Sequence, residues 1–273
     1  MVGLIVAYFL LNTNRVLKSI EVCKECLTIF KEKAGIIDEK LATSLHKRVS
    51  LIMSHAYRAI KDNTNAIKHT ENVLQIYRES GEKLAEWELS FNLAKMYFCQ
   101  SKYAEARELY ESALLISTEI GDRRREAACY ASLGAVYGSV GEYDKARQNL
   151  EKSLAIKKEI GDRKGEASCY GDLGTVYSLF GEYGKAREHL QKSLAITKEI
   201  GDRNGEGTCY EKLGVVYRSV GEYDKAREHL EKSLSIGKKS VTEMKKPAVT
   251  QALELSMDQL ANMIRRRNTS RNH

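Results

Sequence analysis

The sequence predicts an all-α fold, a right-handed superhelical solenoid of antiparallel helix pairs. The first observation is a 40-residue unit, whose clearest copies begin at Gly121, Gly161 and Gly201. Fixed self-similarity of this kind indicates supersecondary units that stack on one another. The second observation is composition, because the 273 residues include a single proline and 30% are charged, which favours helix over sheet. The third is a spacing of three and four residues between apolar side chains in each unit.

The N-terminal segment, residues 1–40, fits the repeat least well. Residues 1–11 are uncharged and apolar, but they are too few to span a bilayer and lack the basic start and cleavage site of a signal peptide. We interpret them as the end of a buried helix followed by a turn, with a degenerate signal or anchor as the alternative. Residues 16–33 are predicted to be the second helix of a partial repeat.

Five helical hairpins are predicted over 41–236, at 41–80, 81–120, 121–160, 161–200 and 201–236. In the copy 121–160, the first helix places four residues on one face: Tyr130, Leu133, Gly134 and Tyr137. Asp122 is placed to cap this helix and Gly141 to end it. The second helix starts near Tyr143, with an apolar stripe of Ala146, Leu150, Leu154 and Ile160. Because Gly134 and Ala146 are small, the two helices can approach closely.

The repeat pattern stops after residue 236. We predict a linker and a C-terminal capping helix over 237–264, opened by Pro247, and a basic tail over 265–273. Residues 237–273 hold eight Lys or Arg against three Asp or Glu, so they contribute +5 of the net charge of +7. The repeats are therefore nearly neutral, and the charge gives no reason to expect that they bind nucleic acid. Contact of the tail with nucleic acid or membrane is a less favoured alternative.

One motif of the unit resembles a known family. Leu133, Gly134 and Tyr137 are followed nine residues later by Ala146, a pattern that resembles the tetratricopeptide repeat, whose usual unit has about 34 residues. The same pattern recurs at 173–186 and 213–226. The longer unit is similar to the repeats of the LGN/Pins family of G-protein signalling modulators and of invertebrate multidomain arrays. The resemblance covers 41–236 and implies a repeat fold of the tetratricopeptide type; no LGN/Pins ligand is carried over, because its groove asparagines and GoLoco motifs are missing.

Helical geometry predicts where a partner would bind. Each residue turns the helix by about 100°, so the first helix of a repeat can face its own partner helix, the next repeat or an open concave side. The third sector is predicted to form a groove for a helix or an extended peptide. Its candidate residues are Arg48, Leu51, His55, Arg58, Glu88, Phe91, Lys95, Phe98, Arg124, Ala131, Ala135, Lys164, Thr175, Thr208, Glu211 and Arg218.

Two phenylalanines of this set, Phe91 and Phe98, are the predicted apolar anchors. Arginines and lysines at the rim would favour acidic flanks in the ligand. The alternative is that Phe91 and Phe98 cover the interior of the solenoid or a neighbouring loop.

No cofactor, metal site or catalytic set is predicted. Cys23 and Cys26 have the spacing of a metal-binding pair, but the two further ligands that zinc needs are missing. Cys129, Cys169 and Cys209 occupy one repeated position, and free cysteines packed as small apolar residues fit a reducing compartment. No nucleophile–base set or phosphate-binding loop stands out.

We therefore predict a non-enzymatic, cytoplasmic scaffold whose partner is a peptide segment of another protein. We expect no small-molecule substrate, nucleic acid or membrane, and leave self-association open. The alternative function is a regulatory or sensor repeat array within a larger multidomain signalling protein.

Overall fold

The computed structural model describes residues 2–32 and 39–239. Twelve α-helices and no strand occupy this part of the chain. The helices are α1 Val2–Asn12, α2 Val16–Glu32, α3 Glu39–Ala59, α4 Asn63–Ser80, α5 Lys83–Cys99, α6 Tyr103–Glu119, α7 Arg123–Ser139, α8 Tyr143–Glu159, α9 Arg163–Leu179, α10 Tyr183–Glu199, α11 Arg203–Ser219 and α12 Tyr223–Lys239. The predicted capping helix after Pro247 and the basic tail lie outside the described residues.

Consecutive helices pair into hairpins, and the hairpins fall into two compact units. One unit covers Met1–Asp122 and holds α1 to α6, and the other begins at Arg123 and holds α7 to α12. The described residues form six hairpins rather than five, because α1 and α2 pack together as a hairpin of their own. The buried face of α1 includes Leu4 and Ala7, whereas Tyr8 and Phe9 on the same helix are exposed.

The turns inside the hairpins use a residue with positive φ. Gly141, Gly181 and Gly221 occupy this position with φ of 80°, 82° and 81°, a region where glycine has no steric penalty. Asn14, Lys61 and Ser101 take the same conformation in the first three hairpins although they are not glycines. In the turns between hairpins, the Asp162 side chain accepts a hydrogen bond from the backbone N–H of Gly165, and the Asp202 side chain accepts one from that of Gly205. These aspartates therefore cap α9 and α11, as the repeat pattern predicts.

Within each hairpin of the second unit, a glycine allows close contact between the helices. A Cβ added at Gly134, Gly174 or Gly214 would lie 2.7, 2.6 or 2.8 Å from the Cγ of a leucine on the paired helix. Those leucines are Leu150, Leu190 and Leu230, and all three are almost completely buried. The interpretation of Gly134 as a close-approach residue is confirmed. One detail of the predicted stripe was wrong: Ile156 is buried, whereas Ile160 lies beyond the end of α8 and is half-buried.

Contacts between successive hairpins join a serine to a cysteine. Ser193 on α10 donates to the Ala167 carbonyl at 2.7 Å, and its Oγ lies 3.1 Å from the Sγ of Cys209 on α11. Ser153 on α8 and Cys169 on α9 repeat this contact at 3.3 Å. Burial raises the pKa of both thiols, so these cysteines are uncharged packing residues.

The arginine of each Gly-Asp-Arg motif closes the open end of its hairpin. Arg123 at the start of α7 pairs with Glu126 at 2.6 Å and with Glu159 at the end of α8 at 2.5 Å. Arg163 repeats this arrangement with Glu166 and Glu199. The sequence analysis assigned Asp122 of this motif as a helix cap but did not predict the ion pair, which joins residues 36 positions apart.

The last copy keeps only half of this arrangement. Arg203 pairs with Glu206 at 2.7 Å, but the position that corresponds to Glu159 and Glu199 is Lys239. The closing ion pair thus has one carboxylate fewer in this hairpin.

Candidate peptide-binding groove

The predicted groove residues lie on the first helices of five hairpins, α3, α5, α7, α9 and α11. None of the sixteen is buried. The neighbouring sector of the same helices is buried, as Leu93, Leu133, Leu173 and Leu213 show. The predicted groove residues are therefore at least partly accessible to solvent.

In the first unit, Phe91 and Phe98 belong to aromatic contacts. The Phe91 ring stacks on Trp87 at a centroid distance of 4.8 Å and meets Tyr110 edge-on at 5.2 Å. Phe98 meets Tyr103 edge-on at 5.6 Å. Both phenylalanines are half-buried, so they pack between α5 and α6, which fits the alternative that they cover the interior.

In the second unit, part of the predicted groove is covered by a lysine. The Lys212 ammonium group on α11 donates to the Gly171 carbonyl at 3.1 Å and lies 3.4 Å from an Asp172 carboxylate oxygen. Gly171 is buried, although it is the repeat equivalent of the predicted groove residues Ala131 and Glu211. Thr175, one turn further along α9, is exposed and bonds to the same carbonyl at 3.0 Å. Lys164 near the start of α9 and Thr175 further along it therefore remain exposed on either side of Gly171.

An apolar pocket of about 420 Å³ lies between α1 and α3 in the first unit. Its lining residues are Leu4, Ile5, Tyr8, Leu11, Arg48, Leu51, Ile52 and His55. Three of the predicted groove residues, Arg48, Leu51 and His55, are among them. The other wall was not predicted, because the apolar sequence of residues 1–11 indicated a buried helix.

The two walls of this pocket are equivalent positions of two hairpins. At the end of α1 the backbone N–H of Arg15 donates a hydrogen bond to the Leu10 carbonyl, and at the end of α3 the backbone N–H of Asp62 donates one to the Tyr57 carbonyl. Both bonds are 2.9 Å long. This register aligns Leu10 with Tyr57, and hence Tyr8 with His55. Tyr8 therefore continues the predicted groove sector into the first hairpin. The positive-φ turn at Asn14 was the signal that could have revealed this register.

One arginine, Arg48, lines the pocket, and a second, Arg58, lies one helical turn beyond the lining residue His55 on α3. Arg48 and Arg58 are exposed, and neither forms an ion pair with any residue in the described part of the chain. By contrast Lys47, one residue from Arg48, pairs with Glu82 at 2.8 Å. Burial, and then the charge of Arg58, lowers the pKa of His55 below its usual value, so this side chain is mostly neutral at pH 7.

Within each unit the described residues form successive α-helical hairpins that pack on one another, which is the architecture of a helical-repeat protein. The family model for the tetratricopeptide repeat matches residues 84–159, 132–199 and 165–239. These matches together span more than half of the chain, and the chain belongs to the tetratricopeptide repeat family. A search of the curated proteins found no match.

Several solved structures share this fold. The apo form of RapI superimposes with a TM-score of 0.70 at 18% sequence identity, over 99% of this chain and 98% of that chain. A Rap protein complexed with competence and sporulation factor superimposes with a TM-score of 0.65 at 15% sequence identity, over 96% of this chain and 86% of that chain. A Signal Transduction ATPase with Numerous Domains from Pyrococcus horikoshii has a tetratricopeptide repeat sensor. It superimposes with a TM-score of 0.68 at 18% sequence identity, over 93% of this chain and 38% of that chain. At these identities the likeness establishes the all-α repeat fold.

No helix among the described residues has the length and apolar character needed to cross a membrane. No cluster of three or more His, Cys, Asp or Glu side chains in those residues is arranged to hold a metal ion.

Proposed function

We propose that this protein is a non-enzymatic interaction module of the cytoplasm that binds a peptide segment of a partner protein along the exposed faces of its first helices. The observation that carries this proposal is the α1–α3 pocket, because it combines an apolar lining with exposed arginines on the sector predicted for ligand contact. Apolar pockets with a few polar groups at their edge are the usual form of a binding site.

Two further observations support a peptide ligand. Exposed residues of the sector recur on successive first helices within a unit, as Arg58 on α3 and Lys95 on α5 do, and an elongated ligand can contact several helices at once. One protein of the same fold is solved in complex with competence and sporulation factor, which shows that this fold can present a ligand-binding surface. The resemblance to LGN/Pins repeats adds no ligand to this proposal.

The proposal is tested by selecting binders from a phage-displayed random peptide library against the full chain. Thr175→Arg blocks the groove sector, and Thr118→Arg is its matched control. Both threonines are exposed, and both bond to the carbonyl four residues earlier, at 3.0 Å. Arg58→Glu is a second groove variant, with Lys68→Glu on α4 as control.

We expect the selected peptides to lose about tenfold in affinity with at least one groove variant and to keep their affinity with both controls. Peptides that bind all four variants equally, or a selection that yields no binder, would contradict the proposed function.

A second candidate is a sensor array within a larger signalling protein. The Pyrococcus horikoshii protein favours it, because this chain matches only 38% of that chain, which carries its repeats as a sensor. Sequencing the reading frame on both sides of the coding segment tests this candidate. An adjoining effector domain whose activity falls when the repeats are added supports it, and an unchanged activity contradicts it.

A further inference from the structure

We propose that the pocket between α1 and α3 holds the apolar anchor of an acidic peptide, and that Arg48 and Arg58 contact carboxylates on either side of that anchor. The inference rests on the proposed function and makes it specific, since it names the chemistry of the partner and the part of the groove that selects it.

The lining of the pocket defines the anchor. Leu4, Leu11, Leu51 and Ile52 present aliphatic surface, and Tyr8 adds an aromatic side chain. A cavity of about 420 Å³ lies at the lower end of the range of roughly 300–1,000 Å³ that ligand pockets occupy. The lining has two side chains that can carry charge, Arg48 and His55, and contains no carboxylate. An apolar side chain, and not a charged one, therefore fits the interior.

Charge defines what flanks the anchor. Lys18, Lys47 and Lys83, elsewhere in the same unit, lie within 4 Å of carboxylates. Arg48 and Arg58 have no such partner among the described residues, although both sit on the groove side of α3. An acidic ligand would therefore gain a charge-assisted contact without breaking an existing ion pair. Arginine beside an apolar pocket is also a common arrangement at sites that dominate binding energy.

Charge also argues against a second copy of this chain as the occupant. A symmetric pair brings the same surface patch of both chains together. The pocket edge would then place unpaired arginines of two copies near each other, which is unfavourable. The exposed surface of α1 cannot neutralise them, because α1 contains no acidic residue.

The test uses fluorescence anisotropy of the full chain with labelled peptide pools. The first pool carries two apolar positions, Leu, Phe or Trp, flanked by Asp and Glu. A second pool replaces the acids with Lys and Arg, and a third replaces the apolar positions with Ala. We expect the first pool to bind at least about tenfold tighter than either other pool, with a preference that weakens as salt is raised.

Matched variants locate the binding. Ile5→Glu places a carboxylate at the pocket on a side chain that is already 66% exposed, and Leu115→Glu is its control at 73% exposure on α6. Arg48→Glu is compared with Lys68→Glu, which is exposed on α4. We expect about a tenfold loss with Ile5→Glu and Arg48→Glu and less than about a twofold change with the controls. Circular dichroism confirms that each variant is folded.

Several results would overturn the inference. Equal affinity for acidic and basic pools, or equal effects of Ile5→Glu and Leu115→Glu, would remove its basis. Tighter binding of sodium oleate, with the same dependence on the variants, would identify a lipid-type ligand. A dimer in sedimentation that Ile5→Glu converts to a monomer would identify a second copy as the occupant. Binders selected by display that respond to Thr175→Arg but not to Ile5→Glu would refute this inference and leave the proposed function standing.

Discussion

The glycine at the centre of each hairpin gives a quantitative test of how the repeat is built. In Gly174→Ala, the new Cβ would lie 2.6 Å from Leu190 Cγ, 2.9 Å from Leu190 Cδ2 and 3.1 Å from the Ala186 carbonyl oxygen. Optimal carbon–carbon contacts lie at about 3.5–4.0 Å, so Leu190 must move by about 1 Å. Leu190 is fully buried and the Ala186 oxygen belongs to the backbone, and neither can move freely.

Two opposing effects set the magnitude. Replacing a glycine inside a helix by alanine favours the helix by up to about 1 kcal/mol. Overpacking a core typically costs about 1–3 kcal/mol, and these short distances place Gly174→Ala at the upper end. We expect a net destabilisation of roughly 2 kcal/mol, equivalent to about 4–8 °C in melting temperature for a chain of this size.

Gly184→Ala is the matched control. Gly184 lies in the next helix, α10, and a Cβ added there meets no atom within 4 Å. This variant should gain helix propensity without a clash, and its melting temperature should rise by up to about 4 °C. Thermal denaturation by circular dichroism at 222 nm measures both, and hydrogen exchange of the α9 and α10 amides assigns the effect to this hairpin.

A double mutant checks the assigned cause. Leu190→Ala removes the side chain that the new methyl group meets, so it should partly relieve the effect of Gly174→Ala. The expected coupling free energy is about 1–3 kcal/mol. The reasoning is refuted if Gly174→Ala is as stable as Gly184→Ala, or if the effects of Gly174→Ala and Leu190→Ala simply add.

Three further predictions concern pH, thiol chemistry and the ion pairs. Burial lowers the pKa of His69, so below about pH 6.5 the unfolded chain binds more protons than the folded one. The free energy of unfolding should therefore fall as the pH is lowered from 7 to 5. Urea titrations at each pH should show a smaller fall for His69→Phe than for the unmodified chain. Cys99 is exposed, whereas burial raises the pKa of Cys23 to about 12. Mass spectrometry after iodoacetamide treatment should therefore find Cys99 labelled well before Cys23. Equal labelling rates for the two cysteines would contradict this prediction. Arg163→Met should lower the urea midpoint of unfolding more than Arg203→Met does, because among the described residues Arg163 pairs with two carboxylates and Arg203 with one.

The hairpins were predictable because they follow from local sequence. The spacing of Leu133, Gly134 and Tyr137 defines a helix face, and Gly141 marks its end. The first hairpin was not predictable in the same way, since α1 is apolar on almost every side and its periodicity identifies no buried face. Its turn also lacks a glycine, because Asn14 takes the positive φ instead.

Positions of the first helices that are accessible to solvent were predictable, but the side chains that cover some of them were not. Helical geometry selects positions such as Arg48 and Thr175 from sequence alone. Which of these positions is covered depends on residues far away in the chain, as Lys212 covers Gly171 from 41 positions away. The α1–α3 pocket likewise needs two helices to be brought together, and no local pattern describes that contact.

The residues that repeat in every unit determine stability, and the residues that vary between units are the ones we expect to determine ligand binding. Gly174 and its two equivalents meet a leucine on the paired helix, so a change there alters stability. By contrast, the groove position of Leu51 is Phe91 in the next hairpin and Ala131 in the one after. Exposed substitutions away from caps and the core usually change stability by less than about 0.5 kcal/mol. Arg48→Glu should therefore change peptide affinity with almost no change in melting temperature. If it lowered both together, the groove and the scaffold would not be separable, and the division of tasks between repeated and variable positions would be wrong.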